Sequence, residues 1–218
     1  MVVYCGSSAS GEYLNTVNTN DISSGWWEGE AIMGRSQEYR FRASKETRKR
    51  APFEWKGLDS DNDQAFINQI LHKYCQREKS EFTRSRPNRG KMTMPILSRR
   101  AEPMSGNGYL RCDTPGELMI INDLYRNELR PYKNFFQPMM RLVSKERIGG
   151  RLNRKHDIPR TPYQKLMDSG QMPKETRRQL EALYLSLDPG QLKRSTDAKL
   201  DNLHRTYEEQ TKSHHVEP

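Results

Sequence analysis

Long apolar runs, cysteine pairs and a leader-like start are what this sequence lacks. No apolar stretch approaches the roughly eighteen residues that a membrane-spanning helix needs. The opening "MVVYCGSSASGEY" has neither a basic segment nor a long apolar one, so no signal peptide is expected. These absences predict a cytoplasmic protein with no membrane partner. Cys5, Cys75 and Cys112 are odd in number, far apart and without a CxxC pair, which excludes a disulfide framework and predicts free thiols. His214 and His215 have no cysteine pair to complete a zinc site, so no structural zinc is predicted. Hydrophobic residues are scarce too, at 33% of 218 residues with mean hydropathy −1.02, enough for one ordinary domain with a helical appendage.

What the sequence has is positive charge. Lys and Arg total 37 against 28 Asp and Glu, a net +9 that suits a polyanionic partner. The charge is clustered. Arg84 to Arg100 contains Arg84, Arg86, Arg89, Lys91, Arg99 and Arg100 with no acid, and Arg141 to Lys165 contains eight bases against Glu146 and Asp157. Such one-sided clusters point to phosphate contact rather than to a merely solvated face. The candidate contacts are Arg84, Arg86, Arg89, Arg141, Lys145, Arg147, Arg151, Arg154 and Lys155.

Periodicity orders the chain. "VVY", "EYLNTVNT" and "GWWEGEAIM" read as a three-strand antiparallel meander, and "SQEYRFRASKETRKR" as a helix capped by Ser36. A strand from Pro52, "PFEWKGLDS", leads to an acidic cluster. A helix follows with Phe66, Ile67, Ile70, Leu71, Tyr74 and Cys75 on one face, then the strand "EFTRS". The resulting β-β-β-α-β-α-β order predicts a mixed sheet with flanking helices. Between Pro87 and Gly108 periodicity stops. It resumes in a helix through "TPGELMIINDLYRNELR", which Pro131 should end. An extended basic arm with turns, residues 136–165, should then give way to short C-terminal helices over 166–212 and a disordered tail over 213–218.

Asp59, Asp61 and Asp63 open like a calcium loop, but Gln64 stands where that loop needs Gly and Ile70 where it needs Glu. One of these acids could instead cap the following helix. A carboxylate at a strand end in a basic protein also suits Mg²⁺, whose hard oxygen ligands serve phosphoryl transfer.

The blocks "CGSSASGEYLNTVNTNDISSGWWE", "GLDSDNDQAFINQ", "EFTRSRPN", "LYRNEL", "NFFQPMMRLVSKERIGG" and "TPYQKLM" together resemble, in order, a bacterial branch of the DDE-type integrases and transposases. The resemblance implies a ribonuclease H-like core over residues 1–135, Mg²⁺ as cofactor, DNA as partner, and intact transposase protomers as partners in a homo-oligomer. It makes Asp61 the second metal-binding catalytic carboxylate; Asp59, two residues earlier, reads as structural and is a weak metal candidate, and Glu102 is one only if a residual activity recruits it. The family's first Asp would precede Met1. Its third carboxylate belongs to a motif resembling Asn-Asp-Asn-Ala-Tyr-Ile-Glu, where this chain reads "KMTMPILSRR".

Codons explain that mismatch. Read one base out of register, Met92-Thr93 forces Asp and Met94-Pro95 forces Ala at the family spacing, while Leu97-Ser98 permits Glu. A frameshift over about residues 90–107, within an aberrant segment 89–108, is therefore expected. Three functions follow as alternatives: a transposase-like DNA-binding protein whose catalysis is lost, a non-catalytic regulatory remnant, or a residual Mg²⁺-dependent strand transferase.

Overall fold

The computed structural model describes residues 2–3, 10–60, 67–84 and 111–214. The expected meander is present. Strand β1 (Val2–Val3) pairs antiparallel with β2 (Leu14–Asn20), which pairs along its length with β3 (Trp27–Met33), from Leu14↔Met33 to Asn20↔Trp27. The turn between β2 and β3 is fixed by Asp21, whose Oδ2 accepts from the Ser24 N–H at 2.6 Å and from Ser24 Oγ at 2.7 Å. Successive residues of an extended chain point to opposite faces. Trp27 accordingly packs with Leu14, Ala31, Cys112, Ile121, Tyr125 and Leu203, whereas Trp26 packs with Phe135, Leu166 and Leu180. One tryptophan pair thus seeds two cores.

The outer edge of β3 is closed by side-chain amides. Asn134 accepts from the Trp27 N–H at 2.8 Å and donates to the Trp27 carbonyl at 2.9 Å. Asn122 does the same at Ala31, at 2.8 and 3.0 Å. Because an open edge would template a further strand, the two asparagines act as its stop.

Helix α1 (Gln37–Arg50) starts as expected, with Ser36 Oγ accepting from the Tyr39 N–H at 3.2 Å. Its last residue, Arg50, donates to Glu28 and Glu30 on β3 at 3.2 and 2.8 Å. Arg130 adds a 2.6 Å bond to Glu28 and Arg126 pairs with Glu30, so both buried carboxylates are paired and hydrogen-bonded, as burial requires. The next strand, β4 (Gly57–Ser60), begins five residues after the expected Pro52, because its ladder extends only as far as its partner. That partner is β5 (Glu81–Arg84), parallel to β4 and reached through helix α2 (Ile67–Arg77). The molecule is therefore mixed α/β, built on small sheets.

Thr114 and Glu117 form a reciprocal capping box at the start of α3 (Pro115–Leu124). The expected stop at Pro131 is not observed. Helical backbone continues in π turns at Tyr125–Leu129 and Tyr132–Phe136, because the second turn buries Asn134 on β3 and Phe135 against Trp26, with ring centroids 5.6 Å apart. Tertiary packing there outweighs the proline's missing donor.

The arm beyond is also not an irregular extended segment. It forms an antiparallel pair, β6 (Leu142–Ile148) and β7 (Arg151–His156). Helices α4 (Pro162–Asp168), α5 (Lys174–Ser186) and α6 (Pro189–His214) follow. The last spans 26 residues, longer than expected and running into the supposed tail, because Leu192 and Leu203 bury on one side of it. Cys75 and Cys112 are free and buried, and Cys5 lies outside the described residues. Among the described residues no helix is long and apolar enough to cross a membrane.

Candidate nucleic-acid interface

The β6–β7 ribbon owes its form to two glycines. Gly149 and Gly150 sit at φ +55° and +83°, the pair of positive φ angles that a two-residue type I′ hairpin turn needs. From that turn the register runs Ile148↔Arg151, Arg147↔Leu152, Glu146↔Asn153 and Lys145↔Arg154, with an irregularity between Leu142 and Ser144. Paired residues share a face. One face therefore carries Lys145, Arg147, Leu152 and Arg154, and the other Ser144, Glu146, Ile148, Arg151, Asn153 and Lys155.

Neither face is covered. All ribbon residues are exposed except the half-buried Ser144, and Val143 is 69% and Ile148 63% exposed. A lone two-stranded hairpin is marginal in water, so its foot matters. Met139 and Arg160 extend the ladder below it by two backbone bonds of 2.9 and 3.3 Å. Met139 lies against Gly25, where a Cβ would stand 2.0 Å from its sulfur, so only glycine lets the foot sit on the β2–β3 turn.

An open groove of about 510 Å³ beside the foot is lined by Ser23, Arg141, Asp157, Ile158, Arg160, Lys165, Asp168 and Ser169. Two of its three cations are held in ion pairs. Lys165 pairs with Asp157 at 3.2 Å and Arg160 with Asp168 at 2.5 Å, while Arg141 Nη2 donates to the Ile22 carbonyl. The Arg141 backbone N–H, joined by Lys165, holds Asp157 below the usual carboxylate range. Arg141 thus serves as a tether between the β2–β3 turn and the ribbon.

On the ribbon the situation is reversed. Lys145, Arg147, Arg151, Arg154 and Lys155 make no ion pair among the described residues, while Arg48, Arg50, Arg126, Arg130 and Lys199 of the body all do. The sequence signal that could have revealed the ribbon is the Gly-Gly pair between two basic runs.

The catalytic candidates are placed differently. Asp59, on β4, accepts from Thr83 Oγ1 on β5 at 3.0 Å and is exposed. Asp61, Asp63 and Glu102 lie outside the described residues, as do Arg86, Arg89 and the stretch 89–108 in which the frameshift is expected. Arg84 ends β5 opposite Ser60, away in sequence and sheet from the ribbon. Among the described residues no three His, Cys, Asp or Glu are placed to hold a metal.

No family model matches the chain, and no solved structure matches it. The chain is similar to a protein of Sinorhizobium fredii (strain NBRC 101917 / NGR234) described as "Uncharacterized protein y4rM", with 31% identity over 162 residues. That alignment covers 74% of this chain and 46% of the relative, so the chain spans about half the length of the curated protein it matches.

Proposed function

We propose that this chain is a DNA-binding protein of the DDE integrase and transposase kind, belonging to a mobile element, which holds duplex DNA without cutting it. The observation that carries the reading is the ribbon: five cations on one exposed hairpin, none of them in an ion pair among the described residues, whereas Arg50, Arg130 and Lys199 of the body are held by carboxylates. A free protein gains nothing from like charges held together, whereas a polyanion relieves them and releases its own counterions. The antiparallel meander followed by a parallel pair, with Asp59 on β4, supports reading the two sheets as parts of one ribonuclease H-like core.

Loss of catalysis rests on the codon argument at residues 92–98. Out of register, those residues force the family's Asp and Ala and permit its third carboxylate at Leu97-Ser98, where the translated chain has no acid. Without three carboxylates in fixed geometry, strand transfer fails while phosphate contact survives.

A supercoiled plasmid assay tests this reading. With Mg²⁺ present, the protein should retard the plasmid and leave it un-nicked, and Asp61→Asn should change neither result. Mg²⁺-dependent nicking that Asp61→Asn abolishes would establish the residual strand transferase instead. Nucleotides spanning Leu97 and Ser98 that cannot spell Glu out of register would remove the frameshift.

A further inference from the structure

We infer that the ribbon enters the major groove of B-form duplex DNA, with the face made by Lys145, Arg147, Leu152 and Arg154 turned to the base edges. The inference rests on the DNA-binding reading above and deepens it, from charge attraction to an oriented site.

Three observations set the orientation. The first is shape. The two strands form a free-standing ribbon exposed on both faces, capped by a tight Gly149-Gly150 turn that adds little width at the tip. Paired strands lie about 4.8 Å apart, and the B-DNA major groove, about 12 Å wide and 8.5 Å deep, admits such a ribbon. The major groove of A-form RNA is deep and too narrow for side chains to read.

The second is the difference between the faces. The inferred face holds three cations and no acid. The opposite face sets Glu146 against Arg151 and Lys155, with Ser144, Asn153 and Ile148 between. Turning Glu146 into the groove would place a carboxylate among phosphates and base acceptors, so that face belongs outside.

The third is chemistry. Lys145, Arg147 and Arg154 are donors without an acceptor, matching guanine N7 and O6 on the groove floor, and Leu152 is the apolar contact a thymine methyl takes. Because none of the three cations is engaged in an ion pair among the described residues, docking breaks no ion pair there.

The test compares two charge-matched double variants of the full chain, Arg147→Ala/Arg154→Ala and Arg151→Ala/Lys155→Ala, on one mixed-sequence DNA duplex and on the double-stranded RNA of the same sequence. Each double removes two cations from exposed positions, so folding is not at risk. The first double should weaken DNA binding about tenfold or more and flatten its salt slope by roughly two units. The second should weaken it by about threefold or less, and unmodified protein should prefer DNA over RNA by about tenfold. Equal losses in the two doubles, or equal affinity for DNA and RNA, would overturn the oriented site while leaving plain DNA binding intact. No loss in either double would overturn both, moving the DNA contact off the ribbon.

Discussion

Lys145 and Arg154 stand directly opposite each other across the β6–β7 ladder, two like charges on one face with no acid between them. Directly opposed like charges destabilise a strand pair, so the free ribbon is held open to a partner at the expense of its own stability. Arg154→Glu should therefore have opposed effects. Amide exchange across Lys145 and Arg154 should slow in the free protein, while duplex affinity falls. Faster exchange together with unchanged affinity would remove the like-charge argument.

Ribbon geometry, beyond charge, is the second expectation. Gly150 holds φ +83° with open space around it, so a side chain there is opposed by the backbone angle and not by crowding. Gly150→Val keeps every charge and disrupts the turn, since a β-branched residue strongly disfavours positive φ. DNA affinity should drop about tenfold if the cations must be held in register. An unchanged affinity would mean that a flexible basic arm suffices.

Asn134 tests how β3 is held. It is fully buried, and its amide satisfies both the N–H and the carbonyl of Trp27. Asn134→Ala orphans two buried backbone groups, at roughly 1–3 kcal/mol each, and frees the sheet edge. Urea unfolding should show a loss of at least about 2 kcal/mol, with increased aggregation. A loss near zero would show that water replaces the amide.

The docking of α6 should depend on pH. Lys199 binds Glu128 at 2.7 Å and also pairs with Asp123, joining α6 to the helix that starts at Pro115. The Lys199 hydrogen bond lowers the Asp123 carboxyl, against the opposing effect of burial. Burial pushes the Lys199 ammonium down, but the two carboxylates outweigh it and leave it raised. A lowered carboxylate stabilises above its unfolded pKa and loses that contribution as pH falls through the folded one. A raised ammonium stabilises below its unfolded pKa and loses it as pH rises through the folded one. The contact is thus fully formed from about pH 4 to about pH 10. Lys199→Met should lower Tm most near neutrality, and the gap to the unsubstituted protein should narrow toward pH 3. A gap independent of pH would make the role of Lys199 one of packing alone.

Much of the first half was legible because its signals are local. The meander shows in apolar runs bounded by turn residues, Ser36 in its capping position, and α2 in its one-sided stripe of Ile67, Ile70, Leu71 and Tyr74. Pro131 misled because the outcome there depends on Trp26 and Trp27, about a hundred residues earlier, which reward burial of Phe135 and Asn134. The ribbon was hidden for a different reason: with both faces in solvent, "LVSKERIGGRLNRKH" carries no alternation of apolar and polar residues for a period-two reading to find. The groove at its foot joins Ser23 to Asp157 and Lys165, a meeting only the fold creates. Of the residues expected to bind DNA, the structure gathers Lys145, Arg147, Arg151, Arg154 and Lys155 and assigns Arg141 to tethering.

The most direct measurement is duplex DNA affinity as a function of salt, read by fluorescence anisotropy on the full chain. With Lys145, Arg147 and Arg154 seated in the groove, log Kobs should fall linearly with log salt, with a slope of about −3, and removing all five ribbon cations together should bring the slope to within about one unit of zero. A slope near zero in the unsubstituted protein, or a slope that survives the fivefold substitution, would contradict the account.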